Sequence, residues 1–241
     1  MFADVVDLRD FYHTPLGRVA AKLLRPKIMQ IWGDVTDLNI VGLGYANPYL
    51  RPLLGQATRV ISVMPAAQGV LHWPETGENK TVLANETELP FADFSVDRLL
   101  LVHCLEGTTH TKALMREAWR VLSESGSMII VIPNRRGLWA RSDLTPFGRG
   151  TPYTRRQLES LLRESLFTPV QSDRALFVPP SRSRLLLSSA YLWQRLGRKF
   201  FPRFSGVILV EARKQLYAGT PAEVTTHKRK PRLIATVKGQ S

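Results

Sequence analysis

Cysteine is nearly absent: Cys104 stands alone in 241 residues. A lone thiol cannot close an internal disulfide, and without a cysteine or clustered histidine partner it makes no zinc site, so a reducing compartment and no bound metal are expected. Long apolar runs are missing too. No stretch reaches the roughly 20 residues of a membrane-spanning helix. The opening Met-Phe-Ala-Asp-Val-Val-Asp-Leu-Arg-Asp has neither the basic start nor the apolar block of a secretory signal, which points to a cytoplasmic protein. Acidic residues are scarce in one half only. Residues 1–134 hold 12 Lys/Arg against 14 Asp/Glu, whereas residues 135–241 hold 21 against 6, so the net charge of +13 arises wholly after Asn134. That half should draw an acidic partner, which could be RNA, an acidic protein or an anionic membrane surface.

What is present has the rhythm of an α/β protein. Short apolar runs at Leu38–Val41, Arg59–Val63, Lys80–Ala84, Arg98–His103, Ser127–Ile132, Leu176–Val178 and Val207–Ala212 alternate with helical patterns. Met128-Ile129-Ile130-Val131-Ile132 shows no polar alternation, which suits a mainly parallel sheet covered on both faces. Between two of these runs, Thr111–Leu122 puts Leu114, Ala118, Val121 and Leu122 on one helical face and closes at Ser125-Gly126. Residues 1–35 read as two short helices broken at Pro15 and Pro26. Residues 36–213 form the main domain, and residues 214–241, with Lys228-Arg229-Lys230-Pro231-Arg232, form a basic tail expected to be disordered.

Two stretches interrupt the alternation. Residues 134–156 are rich in Gly, Pro and Arg and follow the most apolar strand, where open α/β sheets bind ligands. Residues 181–205 carry six Lys/Arg and no acid among Leu185, Tyr191, Leu192, Trp193, Leu196, Phe200 and Phe201. This is a basic amphipathic insertion, whose Trp193 and Phe200 are expected to pack onto the sheet; an RNA-binding or membrane-surface helix is the other reading.

Ile40-Val41-Gly42-Leu43-Gly44-Tyr45-Ala46 lies where the first strand should turn into a helix, and glycines there let a nucleotide-like ligand come close to the backbone. Leu89-Pro90-Phe91-Ala92-Asp93-Phe94-Ser95-Val96-Asp97 leads into the fourth strand, and Leu114-Met115-Arg116-Glu117-Ala118-Trp119-Arg120-Val121-Leu122 precedes the fifth. In this order the segments resemble the class I S-adenosylmethionine-dependent methyltransferases, particularly the type 11 group. The resemblance spans about residues 8–135, and Phe11-Tyr12-His13-Thr14-Pro15-Leu16-Gly17 is similar to an N-terminal segment that leans over the cofactor in many members.

The resemblance implies a Rossmann-like, seven-stranded sheet with helices on both faces, and S-adenosyl-L-methionine as cofactor. It implies cofactor contacts at Gly42, Leu43, Gly44, Met64, Glu86, Thr87 and His103, with residues 1–35 covering the pocket. Tyr12, Asn134, Arg135, Arg136, Trp139 and Tyr153 are the candidates for substrate contacts, and no catalytic base is assigned. The chain departs from the family at two positions. Ile40 stands where an acid usually precedes the first glycine, and Met64 stands where the second strand usually ends in a ribose-binding carboxylate. A thioether is a weak acceptor. Losing one charge-assisted hydrogen bond of about 1.5–3 kcal/mol weakens binding by roughly one to two orders of magnitude. The expected function is therefore a methyltransferase, with a non-catalytic interaction protein of the same fold as the alternative.

Overall fold

The computed structural model describes residues 2–216. Its centre is a seven-stranded sheet in the order β3-β2-β1-β4-β5-β7-β6. The strands are β1 (Asn39–Gly44), β2 (Arg59–Pro65), β3 (Thr81–Ala84), β4 (Val96–Val102), β5 (Leu122–Pro133), β6 (Phe167–Ala175) and β7 (Val207–Lys214). The pairs from β3 through β5 are parallel, and β7 is antiparallel to both β5 and β6. The helices are α1 (Val5–His13), α2 (Pro15–Trp32), α3 (Asn47–Leu50), α4 (Thr111–Val121), α5 (Arg155–Glu164), α6 (Arg184–Ser188) and α7 (Ala190–Phe200).

Both faces of the sheet are covered, which explains the unbroken apolar strands. Leu100, Val102, Ile129 and Val131 pack with α1, α2 and α3, while Leu99, Leu101, Ile130 and Ile132 pack with α4 and α5. Alternate side chains of one strand thus enter two separate cores. At its base, Asp97 accepts a hydrogen bond from the Asn39 backbone at 2.9 Å and one from Ser123 Oγ at 3.0 Å, tying the starts of β1, β4 and β5 together.

Four sequence expectations are corrected. Pro15 does separate two helices, with Thr14 capping α2 through Gly17 N–H at 3.0 Å, but Pro26 lies inside α2. One lost backbone hydrogen bond is outweighed there by the buried stripe of Leu16, Ala20, Leu23, Leu24 and Ile28. The sixth strand is Phe167–Ala175, not Leu176–Val178. It is an edge strand with polar, part-exposed residues and a bulge at Pro169–Gln171, so it carries little apolar signal, and the buried Leu176 and Val178 lie in the loop that follows. The helix before β5 does not close at Ser125-Gly126: α4 ends at Val121 and β5 begins at the next residue. Finally, Trp193 and Phe200 do not pack onto the sheet; they are 38% and 59% exposed. The reading of residues 214–241 as a tail falls outside the described residues from position 217, while Lys214 itself closes β7.

Candidate active site

Parallel strands bring the ends of β1, β2, β3 and β4 to one edge, and the order reverses between β1 and β4, where open α/β sheets leave a crevice. Gly42, Leu43 and Gly44 form the end of β1. Gly44 has φ of 88° and turns the chain so that Tyr45 N–H donates to the Val102 carbonyl at 2.8 Å. A Cβ on Gly44 would lie 2.2 Å from that same oxygen, and one on Gly42 would lie 2.6 Å from both Ala46 Cβ and Leu50 Cδ1. The glycines therefore answer to the chain's own close packing.

The candidate cofactor residues stand around this turn. Met64 ends β2 fully buried, its sulfur 3.4 Å from the Leu71 N–H. Glu86 follows β3, is buried, and accepts the Thr108 hydroxyl at 2.8 Å, while Thr87 donates its N–H and hydroxyl to Asn85 Oδ1. His103 follows β4 with φ of 52°, a conformation that an L side chain seldom adopts and that functional sites hold at a cost.

His103 is the centre of a buried polar chain. Its Nε2 lies 2.9 Å from Tyr12 Oη, which lies 2.9 Å from Tyr49 Oη, and its Nδ1 lies 3.5 Å from Glu106 Oε1. The assignment that suits every group has Tyr49 donating to Tyr12, Tyr12 donating to Nε2, and the Nδ1 proton facing the carboxylate. Gln68 donates to the His103 carbonyl at 3.0 Å. Both carboxylate oxygens of buried Glu106, and Oε1 of buried Gln68, have no hydrogen-bond partner. Burial raises the Tyr12 and Tyr49 phenols and pushes Tyr45 up to about 12, so all three stay protonated. Burial also raises the Cys104 thiol, with Glu106 and Glu86 adding to the effect, which removes it as a nucleophile.

The N-terminal helix lies over this chain. Val5 N–H donates to the Gln68 carbonyl at 2.9 Å, Asp7 pairs with Arg149 at 2.7 Å, and Tyr12 stacks on Tyr45 with ring centres 5.6 Å apart. Phe147 adds a ring 4.5 Å from His103.

A second feature opens farther along the same edge, a cleft of about 600 Å³ lined by Asn134, Arg136, Arg155, Arg156, Arg174 and Arg203, with Thr154, Glu159 and Ile208. Asn134 holds its wall by donating to the Arg203 and Ser205 carbonyls at 3.0 and 2.9 Å. Arg174 is fixed by the Pro202 carbonyl at 2.8 Å, and Arg155 pairs with Glu159 at 2.6 Å. Arg136, Arg156 and Arg203 meet no carboxylate among the described residues.

The structure thus joins Tyr12 to His103, and Asn134 to Arg136, but leaves other candidates apart. Trp139 is 1% exposed and donates to the Val178 carbonyl at 2.7 Å, as a core residue. Arg135 donates to the Pro152 carbonyl at 3.2 Å outside the cleft lining, and Tyr153 pairs with Asn134 only through the backbone. Glu106, Gln68 and Tyr49 were not legible as site residues, because no motif or periodicity links them to His103.

The fit of an adenosyl sulfonium is uneven. At the end of β2 it fails, since Met64 offers no carboxylate and its sulfur is already engaged. At the end of β4 the donor set suits a cation, since three buried acceptor oxygens lack hydrogen-bond partners and burying a carboxylate is expensive unless a cation or donor meets it, while Tyr12 and Tyr45 stack close by.

Comparison with known proteins agrees with this fold. The sequence pattern of the type 11 methyltransferase domain matches residues 41–130. A solved S-adenosylmethionine-dependent methyltransferase from Thermotoga maritima superposes with a TM-score of 0.59 at 16% identity, covering 88% of this chain and 96% of that one. Another, from Mesorhizobium loti, gives 0.55 at 16% identity over 78% of this chain and 96% of that one. The uncharacterized protein YafS of Escherichia coli is 32% identical over 161 residues, which cover 65% of this chain and 64% of the relative's length. The type 11 methyltransferase domain pattern thus lies on residues 41–130, and the fold around it is the one that the solved S-adenosylmethionine-dependent methyltransferases share.

Proposed function

We propose that the protein is an S-adenosylmethionine-dependent methyltransferase that acts on an anionic acceptor. The observation that carries this reading is the Glu106 carboxylate, buried without a hydrogen-bond partner and 3.5 Å from His103 Nδ1 at the switch point of the sheet. Glu106 and Gln68 would hold the cofactor's ammonium end, and Gly42 and Gly44 would border it. When bound, the cofactor supplies an already activated methyl group, so the protein's share is orientation and exclusion of water. Tyr12 and Glu106 engage both ring nitrogens of His103, so the imidazole would serve to position the groups around it, and no catalytic base is assigned. Because Tyr12 and Tyr45 fill the space above the β1 turn, entry requires α1 to lift.

Calorimetry with S-adenosylhomocysteine tests this directly. Saturable heat is expected, and Glu106→Gln should weaken binding by roughly tenfold or more, the value of one charge-assisted contact. No heat at high micromolar ligand would leave the second reading, a non-catalytic interaction protein of the same fold. That reading is favoured by Met64 at the end of β2 and by the filled space over Gly44.

The anionic acceptor is supported by the arginine cleft. Guanidinium groups bind phosphate and carboxylate in a bidentate manner, and the capped start of α5 adds a favourable dipole. Pyrophosphate should therefore bind the protein. Arg156→Glu combined with Arg203→Glu should lower that affinity by roughly tenfold or more, and equal affinity in the double variant would detach the acceptor from the cleft.

A further inference from the structure

A surface helix ordinarily turns its large apolar residues inward. Helix α7 does the reverse. Its buried stripe is Ala190, Gln194 and Gly197, with Gly197 so close to Phe177 that a Cβ would lie 2.4 Å from that side chain. On the outer side, Leu192, Leu196 and Phe200 follow one another at single-turn spacing with Trp193 alongside, all of them exposed. The rings of Phe201 and Phe204 continue the same exposed apolar surface beyond the helix, and Leu185 of α6 precedes it at 82% exposure.

The rest of the outer side is cationic. Arg195 and Lys199 lie one turn apart beside the apolar row, and Arg195 and Arg198 line a groove of about 470 Å³ against Lys22 and Lys27 of α2. No acid occurs between residues 181 and 205. A wide apolar arc flanked by a cationic one is the pattern of a helix that lies in the interface of a lipid bilayer.

We infer that α7 docks this protein on an anionic membrane surface. Trp193, Leu196 and Phe200 enter the boundary between headgroups and acyl chains, while Arg195, Arg198 and Lys199 meet lipid phosphates. Charge excludes a second copy as occupant: two such faces would bring arginine against arginine with no carboxylate to pair. RNA fits less well, because stacked bases would cover the aromatic rings but leave Leu185, Leu192 and Leu196 in contact with polar backbone. No helix among the described residues is long and apolar enough to cross a membrane, so the contact is one of lying on the surface.

Co-sedimentation of the full chain with vesicles decides the matter. Protein should pellet with phosphatidylcholine vesicles doped with phosphatidylglycerol and stay in solution with phosphatidylcholine alone. Leu192→Ser, Trp193→Ser and Phe200→Ser together should reduce pelleting by roughly tenfold or more while leaving the melting temperature close to that of the parent, since none of these side chains is buried. Arg195→Glu with Lys199→Glu should abolish the preference for anionic lipid. Wild-type protein that ignores both vesicle types, or a triple-serine variant that pellets like the parent, would overturn the inference. So would a lipid-free dimer, or RNA binding without vesicle binding, that is lost in the same triple variant.

Discussion

Replacing Gly44 with alanine should lower the free energy of unfolding by about 3 kcal/mol or more, a large share of the roughly 5–15 kcal/mol that holds a domain together. Two terms add. The φ of 88° is unfavourable for any residue with a Cβ, and the new methyl carbon would sit 2.2 Å from the Val102 carbonyl and 2.9 Å from Cys104 Cβ. That carbonyl already accepts the Tyr45 N–H, so relief requires the ends of β1 and β4 to separate. Gly55 separates the two terms. It has φ of 82°, and an added methyl there would meet nothing within 4 Å, so Gly55→Ala should cost only about 1 kcal/mol. Urea unfolding of both variants measures the difference; equal destabilisation would show that the contact with Val102 does not matter.

The second large effect belongs to Glu117. Its carboxylate accepts the Leu89 N–H at 2.7 Å and two nitrogens of Arg120 at 2.5 and 3.0 Å. Arg120 in turn donates to the Leu89 and Phe91 carbonyls at 3.0 and 2.8 Å and to Asp93 at 2.6 Å. One pair of side chains on α4 thus fastens the whole loop that leads into β4. Glu117→Ala should cost about 2–4 kcal/mol, because it leaves the buried Leu89 N–H and the Arg120 Nε–H without acceptors and removes the charge partner of the guanidinium.

The same group gives stability a pH dependence. The hydrogen bonds from Arg120 are the first cause that holds the Glu117 carboxyl below its usual value, with the Leu89 N–H adding to it. Its contribution is therefore complete above the ordinary carboxylate range and is lost as the pH falls through that range toward the depressed folded value. Glu117→Gln, which keeps the shape without the charge, should lie below the parent at neutral pH and converge on it below about pH 4. Parallel curves for parent and variant through that window would refute the assignment.

Leu89-Pro90-Phe91 and Glu117-Ala118-Trp119-Arg120 were legible as family segments, and the hydrogen bonds above explain why these residue types occur together. The strands β1, β2, β4, β5 and β7 were equally legible, since a strand buried on both faces has to be apolar along its length, and the edge strand β3 was legible from its short run alone. The edge strand β6 was not, because one side of it meets water and it alternates too weakly to register. The site was legible in part. Tyr12 and His103 were each singled out, yet their hydrogen bond joins residues 91 positions apart. The arginine cleft gathers side chains from a loop, α5, β6 and the turn before β7, so the charge excess was visible in the sequence while its focus was not.

Local pattern sufficed for what depends on neighbours along the chain: the succession of strands and helices, the glycine turn after β1, and the cationic, apolar composition of residues 181–205. Which face of α7 meets the protein was settled elsewhere. Phe177 closes on Gly197, leaving no room there for a side chain, and donates its N–H to Gln194, so the large apolar side chains are turned to the outside. The contact between Tyr12 and His103 has the same origin, for helix α1 reaches the β4 tip only once the sheet has brought β1 and β4 side by side. Periodicity fixes direction within an element, but the surface against which an element docks is made by segments far away in the chain.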